Sequence, residues 1–224
     1  MTRSIPAITA FAVAVGLTLD AVLPYWGHWA ASGLVLLCWI AVFRIATREE
    51  RHGLIACVIL ATLGELFLCY GWGLYEYKYG DIPVFVPLGH SMIFLSGLRL
   101  APKAPRATWK VVVALTVPAV AVLAITGVDT GGLLWLPMFL ACLIPRETRH
   151  LYGTMFPVAL AVEIAGTQVG SWTWYADIPW VSLTSTNPPL CAGVFYCVLD
   201  LLVLGVERLR RPSPTRFAGT VDAP

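Results

Sequence analysis

The sequence predicts an all-α, polytopic membrane fold. About eight transmembrane helices are expected, in two parallel-duplicated four-helix halves with both termini cytoplasmic. Three observations carry this prediction. The first is composition: 58% of the 224 residues are hydrophobic and 12% are charged, with a mean hydropathy of +0.76. Water-soluble domains carry about a quarter charged residues. The second is charge placement. Of the 15 Lys+Arg, only Lys78 falls between the apolar runs on one face, and the rest fall on the other or at the termini. The positive-inside rule makes that richer face cytoplasmic. The third is a repeat. Glu65 is followed by Gly73-Leu74-Tyr75-Glu76-Tyr77 and then Asp81-Ile82-Pro83, and Glu163 by Gly170-Ser171-Trp172-Thr173-Trp174 and then Asp177-Ile178-Pro179.

A hydrocarbon core about 30 Å thick calls for roughly 20 apolar residues per helix. The runs that fit lie near 5–23, 28–46, 53–71, 84–101, 109–127, 132–145, 151–170 and 188–206. Arg3 precedes the first, which ends in Pro24-Tyr25-Trp26-Gly27-His28-Trp29 without the small-residue pattern of a cleaved signal. The second runs into Arg44, Arg48 and Arg51. The third carries Glu65 about six residues before its outer end, roughly 9 Å below the surface at about 1.5 Å per residue. The fourth brings His90 back to the same depth and ends at Arg99, Lys103, Arg106 and Lys110. Asp129 closes the fifth as Asp20 closes the first. The sixth is short, the seventh carries Glu163, and the eighth carries Asp200 in its inner half.

Four spans per half return the chain to its starting face, so the halves are expected to be related by an axis along the membrane normal. One transmembrane domain, 1–211, divides at about 105, and the Pro-, Ser- and Thr-containing tail 212–224 reads as a disordered cytoplasmic segment. Asn187-Pro188-Pro189 reads as a helix start, with Asn as N-cap and Pro at the first helical position. The six cysteines sit in apolar runs without metal spacing and read as buried free thiols. His28, His52 and His150 sit at loop ends and read as solvated. Asp200 is expected to pair with a cytoplasmic-side arginine or to lie near the interface.

Buried acids are costly and seldom retained without a use. Glu65 with His90 forms the first candidate pair, a carboxyl beside an imidazole, which suits general acid chemistry. A Glu–His bond that only joins adjacent helices is the structural alternative. Glu163 is the second acid, with Asn187 counted as the counterpart of His90 and as a candidate substrate-binding residue, and Thr167 and Gln168 as extensions of its polar network. The W-x-W and Y-x-Y patterns predict short extended pieces with alternate rings on one side. Trp72, Tyr75, Tyr77, Trp172 and Trp174 are thus candidate substrate-binding rings roofing a cavity between the halves, unless they serve only as an interfacial belt. No phosphate loop, nucleophile elbow or His-rich metal motif is present, so no metal and no cofactor are expected. The net charge of +2 reports orientation and carries no nucleic-acid footprint.

The segment from Glu65 through Gly73-x-Tyr75-x-Tyr77 and Gly80-Asp81-Ile82-Pro83 to Val86-Pro87-Leu88 resembles the membrane carotenoid hydratase family. More broadly, the chain resembles the small helical membrane terpene cyclases. The resemblance spans about 25 residues, with an echo from Glu163 to Pro179. It implies a carboxylate that protonates an alkene or epoxide of an isoprenoid, and it carries over to Glu65, Tyr75 and Tyr77. His90 departs from it, standing where the resemblance calls for an aromatic residue.

The expected function is therefore an integral membrane enzyme, a hydratase or cyclase acting on a lipophilic isoprenoid or polyene. Glu65, assisted by His90, donates the proton and Glu163 balances the charge. The expected location is a bacterial inner (plasma) membrane with the site toward the extracytoplasmic side; the oligomeric state stays open. A proton-coupled transporter and a non-catalytic membrane scaffold are the alternatives from other classes.

Overall fold

A computed structural model describes residues 4–210, and the expected tail 212–224 lies outside the described residues. The fold is mostly helical. Helices α1 (Ser4–Val22), α2 (Tyr25–Ile45), α3 (Arg48–Glu65) and α4 (Phe85–Leu100) precede α5 (Thr108–Ile125), α6 (Gly132–Cys142), α7 (Arg149–Gln168) and α8 (Gly193–Arg210). Four helical stretches are long and apolar enough to cross a bilayer: α1, α2, Arg48–Trp72 and α5.

Local chemistry sets several of these boundaries. Thr47 and Glu50 start α3 with reciprocal bonds, Glu50 N–H to Thr47 Oγ1 at 3.3 Å and Thr47 N–H to Glu50 Oε2 at 2.8 Å. Arg99, at the end of α4, pairs with the other oxygen of Glu50 at 2.6 Å and ties the two helices at their Arg-rich ends. After Glu65 the helix continues as a π-helical segment, Leu66–Trp72. Gly73 ends it at φ +77°, a value that glycine adopts without steric penalty, so that the N–H groups of Gly73 and Leu74 both reach the carbonyl of Leu68.

Between α3 and α4 lies strand β1 (Tyr75–Tyr77), and after α7 comes β2 (Trp172–Trp174). They pair antiparallel in the register Tyr75↔Trp174, Glu76↔Thr173, Tyr77↔Trp172. Lys78 N–H to Ser171 O and Tyr175 N–H to Leu74 O extend the ladder at both ends. A second hairpin, β3 (Asp177–Ile178) with β4 (Leu183–Thr184), follows only in the second loop. Helices α3 and α4 pack together, as do α7 and α8, and the two pairs meet through α3 with α8 and α4 with α7.

Several expectations need correction. The eighth helix begins at Gly193, not at 188, because Asn187 does not cap it. Asn187 Oδ1 instead accepts the Trp174 backbone N–H at 3.0 Å, and Asp129 Oδ2 takes the Leu190 N–H at 2.9 Å. Cys191 consequently lies in the turn before α8, although all six cysteines are free thiols. His28 is buried, since the N-terminal end of α2 packs under Tyr79 and Phe85 and sets the imidazole 3.4 Å from Asp20 Oδ1. His52 and His150 are half-buried, and His150 Nε2 lies 3.1 Å from the Ala104 carbonyl. Asp200 is 1% exposed, and one of its oxygens has no hydrogen-bond partner.

Close helix contact in an apolar medium depends on small residues. A Cβ on Gly193 would run into the main-chain carbonyl of Phe156 on α7, whereas at Gly205 it would meet open space. Gly193→Ala is expected to cost about 1–3 kcal/mol by overpacking and to lower the thermal unfolding midpoint in detergent. Gly205→Ala should not lower it.

Candidate functional site

The site grows from two facts of local geometry. Glu65 ends the regular part of α3 and Glu163 sits in the C-terminal half of α7, while the strands that follow each helix fold back across the helix ends. In both strands the outer two residues are buried and the middle one exposed, so four rings point toward the helices and Glu76 and Thr173 point away. Each ring carries a donor. The hydroxyls of Tyr75 and Tyr77 both donate to Glu65 Oε2, at 2.7 and 2.6 Å. The indole N–H groups of Trp172 and Trp174 both donate to Glu163 Oε2, at 2.9 and 3.1 Å.

The remaining oxygen of each acid faces a helix of the opposite member of its pair. His90 Nε2 on α4 lies 3.3 Å from Glu65 Oε1, and the Tyr196 hydroxyl on α8 donates to Glu163 Oε1 at 3.3 Å. The two helical partners touch each other: the His90 and Tyr196 rings stack at 4.5 Å with 27° between their planes. A continuous bridge therefore runs Glu65, His90, Tyr196, Glu163. Both acids are buried, at 5% and 7% exposure.

Apolar space lies on either side of this bridge. On one side a small cavity of about 60 Å³ is lined by both acids, His90, Tyr196, Tyr77 and Trp172 together with α1 and α4 residues. On the other, a chamber of about 340 Å³ between α3, α6 and α8 is lined by the same acids and by Trp72, Trp135, Trp174 and Phe195. Trp72 is fixed by its N–H to the Pro179 carbonyl at 3.0 Å and by stacking on Trp180 at 5.7 Å.

The structure thus brings together Glu65, His90, Glu163, Tyr75, Tyr77, Trp172 and Trp174, with Trp72 at the edge. It does not bring Asn187 to Glu163: the β3–β4 hairpin lengthens the second loop, so counting residues from the Ile-Pro element falls short and Asn187 serves the Trp174 main chain instead. Tyr196 takes the place expected of Asn187. It is a tyrosine in an apolar run with no polar neighbour in the sequence, and only the helix-by-helix match of α8 to α4 exposes it. Thr167 donates to the main-chain carbonyls of Glu163 and Ile164, and Gln168 is exposed, so neither extends the carboxylate network. Among the described residues no three His, Cys, Asp or Glu side chains converge as metal ligands would.

Two further acids brace the strand-bearing end of the bundle. Asp20 Oδ2 accepts the Ser171 hydroxyl at 2.6 Å and its main-chain carbonyl accepts Lys78 Nζ at 2.8 Å, which ties α1 to both strands. Asp129 accepts the N–H groups of Gly132 and Leu190 and the Thr186 hydroxyl. Comparison with protein-family models, with curated proteins and with solved structures finds no match to this chain.

Burial first, and then the charge of Glu65, pushes the Tyr75 and Tyr77 phenols well above their ordinary value of 10.0. They remain protonated donors in the fold, whereas in the unfolded chain they ionise near 10. Above that pH the unfolded state binds fewer protons than the native state, so stability falls as pH rises further and is unaffected below it. Thermal midpoints measured across alkaline pH should decline more gently in the Tyr75→Phe, Tyr77→Phe double variant than in the parent.

Proposed function

We propose that this chain is an integral membrane enzyme that protonates a carbon–carbon double bond of a lipophilic isoprenoid or polyene and thereby hydrates or cyclises it. In this reading all eight helices cross or line the bilayer, both termini are cytoplasmic and the strands lie on the extracytoplasmic side, in a bacterial plasma membrane. Supporting the duplicated arrangement is the antiparallel register of β1 and β2, centred on Glu76↔Thr173. A two-fold axis along the membrane normal would produce this register. The charge asymmetry of the loops supports the orientation.

One observation carries the chemistry. Two buried carboxylates, each saturated by three side-chain donors or partners, face apolar space whose remaining ionisable lining is those partners, His90, Tyr75, Tyr77 and Tyr196. Only the Glu65 side has an imidazole, so a transferable proton belongs to the Glu65–His90 pair. Glu163 has three neutral donors, two of them indoles that cannot accept a proton, and no imidazole, so the balancing role falls to it. The proton passes to one alkene carbon, whose new C–H bond takes the π electrons, and positive charge develops on the neighbouring carbon. Glu163 and the surrounding rings stabilise that charge. In hydration a water oxygen bonds to the cation and its surplus proton returns to the Glu65–His90 pair. In cyclisation a second double bond supplies the electrons, and a proton lost from an adjacent carbon restores the pair. The resemblance at Glu65, Tyr75 and Tyr77 points to the same chemistry.

Lipids that co-purify with the protein, identified by mass spectrometry, should include an isoprenoid. On that isoprenoid Glu65→Gln is expected to lower turnover by about 10²–10⁴-fold, the usual contribution of a positioned general acid. Full turnover by Glu65→Gln would overturn the proposal.

A further inference from the structure

Helices α1 and α7 do not close on each other. Between them, floored by α4, runs a groove of about 570 Å³. On α1 it is lined from Pro6 to Thr18, roughly 18 Å at the helical rise of about 1.5 Å per residue. Its walls are slender residues, among them Ala10 and Ala14 on α1 and Val158, Ala161 and Ala165 on α7. Thr9, Val13, Leu17, Ile93 and Val162 line both this groove and the small cavity at Glu65 and His90, so the two adjoin across these side chains.

Its polar groups are already committed. Ser96 donates to Thr9 at 2.8 Å, Thr9 donates to the Ile5 carbonyl at 3.0 Å, and Thr18 donates to the Ala14 carbonyl at 2.7 Å. No charged side chain lines it. A groove with no free hydrogen-bonding group along its length suits hydrocarbon throughout and gives a lipid headgroup nothing to hold.

We infer that this groove between α1, α4 and α7 holds the unreactive tail of the substrate, a long, unbranched or methyl-branched hydrocarbon chain that enters sideways from the bilayer with its reacting double bond against Glu65 and His90. The inference rests on the proposed chemistry for the identity of the reacting end, and it adds the length and shape of the rest of the molecule.

The test uses the full chain in lipid nanodiscs and two achiral all-trans polyenes, one long and one short, that share the same terminal isoprene unit. An achiral polyene gives induced circular dichroism in its absorption band when held in a chiral site and none when free in lipid. Ala10 and Ala161 are exposed to the groove, so added bulk fills the groove and spares the core. Ala10→Phe and Ala161→Phe should each weaken the titration by the long polyene by about tenfold, equivalent to about 1.4 kcal/mol, and leave the short polyene unchanged. Unaltered titration by the long polyene in both variants, as expected if a phospholipid chain fills the groove, overturns the inference. So does the absence of any induced signal with the parent protein. A variant that loses the short-polyene signal is replaced by the smaller Ala161→Leu, judged by the same two titrations. Glu65→Gln should keep both titrations while losing turnover, so persistent turnover there would remove the acid and leave the groove standing.

Discussion

A carboxylate taken out of water must have its charge met by groups the protein supplies, and meeting that demand twice organises this molecule. Neither α3 nor α7 satisfies its own glutamate, because the residues around each are apolar, exposed or, like Thr62 and Thr167, already bonded to main-chain carbonyls. The donors come from two three-residue strands and from the opposing helices. The strand pair, the stacking of His90 on Tyr196 and the contact of α3 with α8 can all be understood as consequences of closing one polar layer inside an apolar bundle.

The two halves solve the same problem with different chemistry. Phenols and imidazole can each both donate and accept, and all three partners of Glu65 are of that kind. Indole N–H groups donate only, so the two strand rings at Glu163 cannot relay a proton. The two acid sites differ by such exchanges, Trp for Tyr on the strands and Tyr for His on the facing helix.

Much of this was legible in the sequence, for identifiable reasons. Helix number and order follow from apolar run length, and Glu65, Glu163 and the four strand rings stand out because the motif recurs at nearly the same offset. What the sequence concealed is equally specific. Tyr196 carries no local mark, since a tyrosine in an apolar helix is ordinary until the third partner of Glu163 is sought. Asn187 misled because an asparagine before two prolines usually starts a helix, and only the extra β3–β4 hairpin shows that the second loop cannot be counted like the first. The burial of His28 and Asp200 depends on which helices meet, which hydropathy does not encode.

The alternation along β1 and β2 makes the supply of donors indivisible. Because a strand's side chains change face at every residue, sliding either strand by a single position would turn its two rings outward together and bring Glu76 or Thr173 inward in their place. A slip of β1 would thus add a third carboxylate to the layer just as Glu65 lost both phenols. Insertions or deletions between Gly73 and Lys78 are consequently barred in a way that substitutions at the outward-facing positions 76 and 173 are not, and the length of this short ribbon is under tighter physical constraint than the identity of its exposed residues.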